Sequence, residues 1–202
     1  MSAKIKMNVA NQGAVINKNI YGHFSEHLGR CIYGGLFVGE ESAIPNVNGM
    51  RTDVVEALKN IRVPVLRWPG GCFAESYDWK DGIGPKEDRP RRAELAWRTI
   101  ETNEVGIDEF QEWAKRADTE VMMAVNLGTG TPDEARNCVE YCNLDTDTKY
   151  ANKRRANGFE KPFGIKTWCL GNEMDGPWQI GHKTAYEYGR LANEVGAVMK
   201  RY

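Results

Sequence analysis

The sequence predicts an α/β fold in which helices cover a parallel sheet, and three observations carry that expectation. Short β-type runs alternate with helical patterns, an order that makes strands parallel because each helix returns the chain to the same end of the sheet. Residues suited to chemistry stand just past several different strand ends, where (β/α)8 barrels keep theirs. No G-x-G-x-x-G follows the first strand, although an open dinucleotide-binding sheet would usually carry one. The expected architecture is a (β/α)8 TIM barrel, of which these 202 residues hold the first four βα units.

Each element has its own signal. Lys4–Val9 alternates polar and apolar residues and reads as a strand outside the barrel; Ile20–Phe24 is the first short barrel run. Asp53–Ile61 places Val54, Ala57, Leu58 and Ile61 at helical spacing, and Val63–Trp68 is a strand run stopped by Pro69-Gly70-Gly71. Asp108–Ala117 reads as a helix with an N-cap aspartate and Phe110, Trp113, Ala114 and Ala117 on one face. Val121–Leu127 is the next strand. Thr131 then caps a helix over Pro132–Cys142, with proline at its first position. Ile165–Leu170 is the last strand, and Thr184–Tyr202 is a helix with Tyr188, Leu191, Ala192, Val195 and Met199 on its apolar side. The connection from Pro69 to Ile107, close to forty residues and rich in Gly, Pro, Trp and Arg, is too long for a passive link and reads as an ordered loop over one end of the sheet. A complete barrel takes about 250 residues, so the reading is of a truncated one.

Composition narrows the partners. Hydrophobic residues are 41% and charged residues 27% of the chain, with 27 Lys and Arg against 28 Asp and Glu. No net field draws in nucleic acid or an anionic membrane, and Lys153-Arg154-Arg155 reads as solvated surface. The start lacks an apolar signal core and no stretch approaches the roughly 18 apolar residues of a membrane span. Five cysteines (Cys31, Cys72, Cys138, Cys142, Cys169) without a framework spacing favour free thiols. Together these point to a cytoplasmic protein.

The richest segment is Trp168–Trp178, which delivers Asn172 and Glu173 to a strand terminus beside an aromatic-bearing turn. Glycosidic hydrolysis needs one carboxyl group held protonated for the leaving oxygen and a second, ionised, to attack or to activate water. An apolar setting raises a glutamate toward that task, and Leu170, Met174 and Trp178 are the residues placed to supply it. An Asn just before the acid can bind a neighbouring sugar hydroxyl.

Four segments carry a resemblance to a known family: IYGHFSEHLGRCIYGG (Ile20–Gly35), LRWPGGCFAESYDWKDGIGP (Leu66–Pro85), MMAVNLGTG (Met122–Gly130) and WCLGNEMDGPWQIGHKT (Trp168–Thr184). They resemble the α-L-arabinofuranosidases of glycoside hydrolase family 51. The resemblance implies a retaining, exo-acting enzyme, without a cofactor, that removes terminal α-L-arabinofuranosyl groups from arabinan or arabinoxylan oligosaccharides. It implies a C-terminal β-sandwich that residues 1–15 help to build, with residues 16–202 as the first half of the catalytic barrel, and a homo-oligomer, often a hexamer. By position, Glu173 matches the acid/base, Asn172 its sugar-binding neighbour and Glu26 a glutamate that binds sugar hydroxyls. Cys72 falls where many relatives carry Asn and others Cys. A thiol is a poor hydrogen-bonding group, so recognition there is expected to pass to the backbone N–H. The family's nucleophile, a glutamate at the end of the seventh strand, has no counterpart in these residues, and the isolated chain is expected to be inactive.

Other patterns compete. His23-Phe24-Ser25-Glu26-His27 fits the H-x-x-E-H of a zinc peptidase, a chemistry that needs both histidines on one helical face, whereas Gly22 and Gly29 argue against a helix. A non-catalytic alternative is an inert, truncated carbohydrate-binding half barrel. Gly128-Thr129-Gly130 before a helix lacks the Lys of a phosphate loop and reads as a plain turn. Cys138 and Cys142 lie one helical turn apart without a second pair. Among the tryptophans, Trp68, Trp79, Trp97 and Trp178 could stack on sugar rings, with Trp178 favoured by its place beside Glu173.

Overall fold

The computed structural model describes residues 2–202. Its strands are β1 (His23–Phe24), β2 (Asn46–Val47), β3 (Met50–Arg51), β4 (Val65–Trp68), β5 (Arg92–Glu94), β6 (Thr99–Glu101), β7 (Glu120–Val125) and β8 (Thr167–Leu170). Its helices are α1 (Thr52–Asn60), α2 (Ile107–Arg116), α3 (Pro132–Asn143), α4 (Lys149–Ala156) and α5 (Ala185–Met199). Strands β1, β4, β7 and β8 form one parallel sheet in that order, so each new strand joins at the same edge. The α/β class and the parallel sheet follow the sequence expectation.

Register fixes which residues share a face. Arg67 pairs with Met122, and Met122 with Thr167; one residue on, Trp68 pairs with Met123 and Met123 with Trp168. Side chains alternate faces along a strand, so Arg67 stands on one face while Leu66 and Trp68 enter the main core on the other. There they meet Phe110 and Trp113 of α2, Cys138 and Tyr141 of α3, and Met123. A second cluster joins Val125 and Leu127 to Val139 of α3 and to Val195 and Met199 of α5.

Local chemistry sets the helix starts. Thr131 and Glu134 cap α3 reciprocally, with Pro132 in the first turn, and Thr184 and Glu187 do the same for α5. Helix α2 corrects the expected cap. Gly106 is the N-cap, its N–H donating to Glu109 Oε2 at 2.8 Å. Asp108 is instead buried and accepts the Tyr141 hydroxyl at 2.7 and 2.9 Å. Burial pushes its carboxyl up to about 7, against the pull of that hydroxyl.

Arg154 overturns the reading of the basic cluster as solvated surface. Its side chain is 0% exposed. It donates to the Tyr141 and Leu144 carbonyls at 2.8 and 2.7 Å and to Phe159 O at 3.1 Å. The last carbonyls of a helix have no partners of their own, and Arg154 of α4 supplies them to the end of α3. Helix α4 lacked an apolar stripe in the sequence; contact with α3 makes it.

The expected strand over Lys4–Val9 has no pairing partner here, and Ile5, Met7 and Val9 are exposed. The first barrel run is shorter than Ile20–Phe24, because Lys18–Tyr21 forms a 3-10 turn. The long connection after Pro69 is ordered. It holds three 3-10 turns and the β5–β6 hairpin. Arg89 pins it by donating to Gly84 O, Asn103 O and the Glu109 carboxylate. No helix among the described residues is long and apolar enough to cross a membrane.

Candidate active site

The sequence-predicted polar residues gather where the sheet strands end. Glu26 follows β1, and its carboxylate meets Arg67 of β4, Nη1 to Oε1 at 2.5 Å. The other arm of Arg67 donates to Asn172 Oδ1, past β8, at 2.7 Å. One guanidinium therefore joins groups from three strand ends. The Arg67 side chain is 9% and that of Glu26 20% exposed, so the pair is largely shielded yet open on one side. Arg67 also lies 4.7 Å over the Phe24 ring. Its guanidinium fork holds Glu26 as an acceptor and turns the Asn172 carboxamide so that its N–H2 faces away from Arg67.

Pro69-Gly70-Gly71 permits this approach. A Cβ on Gly70 would lie 2.7 Å from Glu26 Cβ, and one on Gly71 2.8 Å from Glu26 Oε2. The turn that stops β4 is thus also the wall against which Glu26 lies. Cys72 comes next. Burial first, then the nearby Glu173 carboxylate, raise its thiol above the usual range, with smaller contributions from Glu26 and Glu75. The thiol stays protonated.

Glu173 is exposed and carries a left-handed backbone, φ 46°. No Arg or Lys forms a salt bridge with it among the described residues. Trp178 Nε1 donates to Glu173 Oε2 at 3.3 Å, and the indole is 68% exposed. The expected apolar setting is only partly present. Trp178 lies beside the acid, but Leu170 packs toward α5 and Met174 is buried with Leu127 and Val125. Strand alternation sends Leu170 to the helix side, and the turn at Gly171 sends Met174 after it.

Other candidates separate from this group. Trp68 stacks on Phe110 at 5.2 Å and Trp79 packs on Tyr141 and Tyr150, so both are core; Trp97 is exposed beyond β5. The H-x-x-E-H pattern lies on β1 and the turn after it, with no helix to bring His23 and His27 together. His27 is buried, its Nδ1 against Glu101 Oε2 at 3.2 Å, and no group of three His, Cys, Asp or Glu side chains among the described residues converges as metal ligands would. The backbone donors of Gly128, Thr129 and Gly130 are taken by Asn126 Oδ1 at 3.0, 2.9 and 3.0 Å, which makes that turn a closed one. Cys138 and Cys142 are buried in α3.

Sequence reasoning missed two residues. Arg67 had a visible signal, a charged residue inside an apolar strand run. Glu75, 0% exposed on the 3-10 turn Cys72–Ser76, had none.

A parallel sheet gathers two glutamates, a carboxamide and an exposed indole at its strand ends, and known proteins give the class. The family described as "Alpha-L-arabinofuranosidase 1 domain" matches residues 57–202. An intracellular exo-α-(1→5)-L-arabinofuranosidase 1 of Bacillus subtilis is 57% identical over 185 residues, covering 92% of this chain and 37% of the relative. An exo-α-(1→6)-L-arabinofuranosidase of Bifidobacterium longum is 49% identical, covering 93% and 36%. Among solved structures, the α-L-arabinofuranosidase of Thermotoga maritima in complex with arabinose superposes with a TM-score of 0.88 at 52% identity, covering 90% of this chain and 38% of that one. The class of these relatives is glycoside hydrolase. The chain belongs to the α-L-arabinofuranosidases of family 51, and it spans little more than a third of the length of the curated relatives it matches.

Proposed function

We propose that this chain forms the first four βα units of a (β/α)8 barrel in a retaining exo-α-L-arabinofuranosidase. The observation that carries the reading is the hydrogen-bonded series Glu26–Arg67–Asn172, which ends one residue from Glu173. Glu173 is the acid/base: it protonates the leaving oxygen and then, as base, activates the water that resolves the glycosyl-enzyme. Glu26 and Asn172 bind hydroxyls of the terminal arabinofuranosyl ring, the Cys72 segment lines the ring through its backbone, and Trp178 packs on the sugar while its indole N–H orients the Glu173 carboxyl. Retention calls for a nucleophilic carboxylate about 5–5.5 Å from Glu173, supplied by a residue beyond this sequence, so the 202 residues alone should release no arabinose. Residues 1–15 belong with an accessory β-sandwich, the substrates are arabinan or arabinoxylan oligosaccharides, and the complete protein acts in the cytoplasm, without a cofactor, as a homo-oligomer. Relatives named for (1→5) and for (1→6) linkages match this chain at 57% and 49% identity.

The test is Glu173→Ala in the complete protein. Natural oligosaccharides should lose activity at least about a hundredfold more than aryl arabinofuranosides, whose leaving groups need little protonation. Equal loss on both would remove Glu173 from the acid/base role.

A further inference from the structure

Glu75 is the one fully buried carboxyl group next to the site that the proposed chemistry leaves without a task. It is 0% exposed and forms no salt bridge among the described residues. Burying such a group without a cation is unfavourable. Burial accordingly pushes its carboxyl up to about 7, while the Leu127, Asn172 and Gly128 backbone N–H groups pull it back. Oε2 accepts Leu127 N–H at 2.9 Å; Oε1 has no partner of hydrogen-bonding geometry. The Glu75 carbonyl takes both Thr129 N–H and Thr129 Oγ1 at 3.1 Å.

The turn so held supports the loop that carries Glu173. A Cβ on Gly128 would lie 2.5 Å from Glu75 O and 2.6 Å from Ile180 O, and one on Gly181 2.4 Å from Gly128 Cα. The three backbones are in direct contact. Asn172 and Glu173 enter that loop, and Glu173 does so with φ 46°. A left-handed backbone is uncommon at a non-glycine residue, and Glu173 is one of six among the described residues that adopt it.

We propose that Glu75 is a positioning residue: its side chain and carbonyl fasten the Leu127–Thr129 turn, and with it the Asn172–Glu173 backbone, so that Glu173 is held at the strand end. Its catalytic consequence rests on the acid/base reading of Glu173; its structural consequence does not.

The test compares Glu75→Met and Glu75→Gln with the wild type in the full chain, by amide hydrogen exchange and by steady-state kinetics. Met matches the volume and removes a costly buried carboxyl, so the melting temperature should change little. Protection of the peptides holding Leu127–Thr129 and Asn172–Met174 should fall about tenfold or more while α2 keeps its own. In the complete enzyme kcat should fall about tenfold with KM within a factor of about three. Gln keeps a carbonyl oxygen for Leu127 N–H and should restore both. The proposal is overturned if Met leaves the 172–174 peptides as protected as in wild type, or if protection is lost evenly, α2 included. Should the Met variant fail to fold, Gln decides: near-wild-type protection supports the proposal and a tenfold local loss overturns it. A wild-type enzyme that releases no arabinose would defeat the functional reading, and the exchange result would still decide the role of Glu75.

Discussion

Replacing Arg67 with Met tests the arrangement on which the site depends. Arg67 touches Glu26 at 2.5 Å and Asn172 at 2.7 Å, with side-chain exposures of 9% for Arg67 and 20% for Glu26. Two unit charges about 4 Å apart at an effective dielectric near 20 attract by about 4 kcal/mol. That bare attraction is an upper bound, and measured couplings between contacting groups in one network run about 0.5–3 kcal/mol, so a coupling of about 2 kcal/mol is expected. Arg67→Met should therefore cost about 3 kcal/mol, because Glu26 keeps its charge in a shielded place without a counter-ion. Paired with Glu26→Gln in a double-mutant cycle by urea unfolding, the double variant should lose about 2 kcal/mol less than the sum of the singles. Arg67→Lys should recover only part, since one ammonium cannot span two acceptors as a fork does. Additive single effects, within about 0.5 kcal/mol, would refute the account.

Two further outcomes follow from buried charge. The Asp108 carboxyl is raised from 3.8 to about 7 by burial, so the folded state holds its proton across a range where the unfolded chain has released it. The stability it supports is full below about pH 4 and is lost as pH rises through about 7, by up to about 4 kcal/mol. Asp108→Asn, which keeps an acceptor for the Tyr141 hydroxyl, should flatten that part of the pH–stability curve; an unchanged slope between pH 4 and 8 would contradict it. Arg154→Met should cost at least about 3 kcal/mol in thermal or urea unfolding, because it leaves the Tyr141, Leu144 and Phe159 carbonyls without their buried donor. A loss below about 1 kcal/mol would return Arg154 to the surface role its sequence suggested.

The sequence by itself determined the features that depend on near neighbours. Thr131 marks a helix start because its cap reaches only to Glu134, and Thr184 begins the last helix on the same terms with Glu187, a cap the reading of Thr184–Tyr202 did not name. Val63–Trp68 and Ile165–Leu170 read as strands because apolar runs between turn residues have little else to become, and the strands form over Val65–Trp68 and Thr167–Leu170. The segment around Glu173 was legible as a candidate site for the same reason, since Asn172, Glu173 and Trp178 are close in sequence and Trp178 meets Glu173 in space. What only the tertiary structure decided involves partners far apart in the chain. Arg67 meets Glu26 across 41 residues and Asn172 across 105, Glu75 reaches Leu127 across 52, and Asp108 faces Tyr141 across 33. A charged residue reads as solvated when its partner is unknown, and Arg154, Asp108 and Glu75 are all buried on terms set by distant backbone or side-chain groups. The desolvation of Arg154 is offset by hydrogen bonds that exist only once the sheet and its helices have closed on one another, and that of Asp108 and Glu75 only in part.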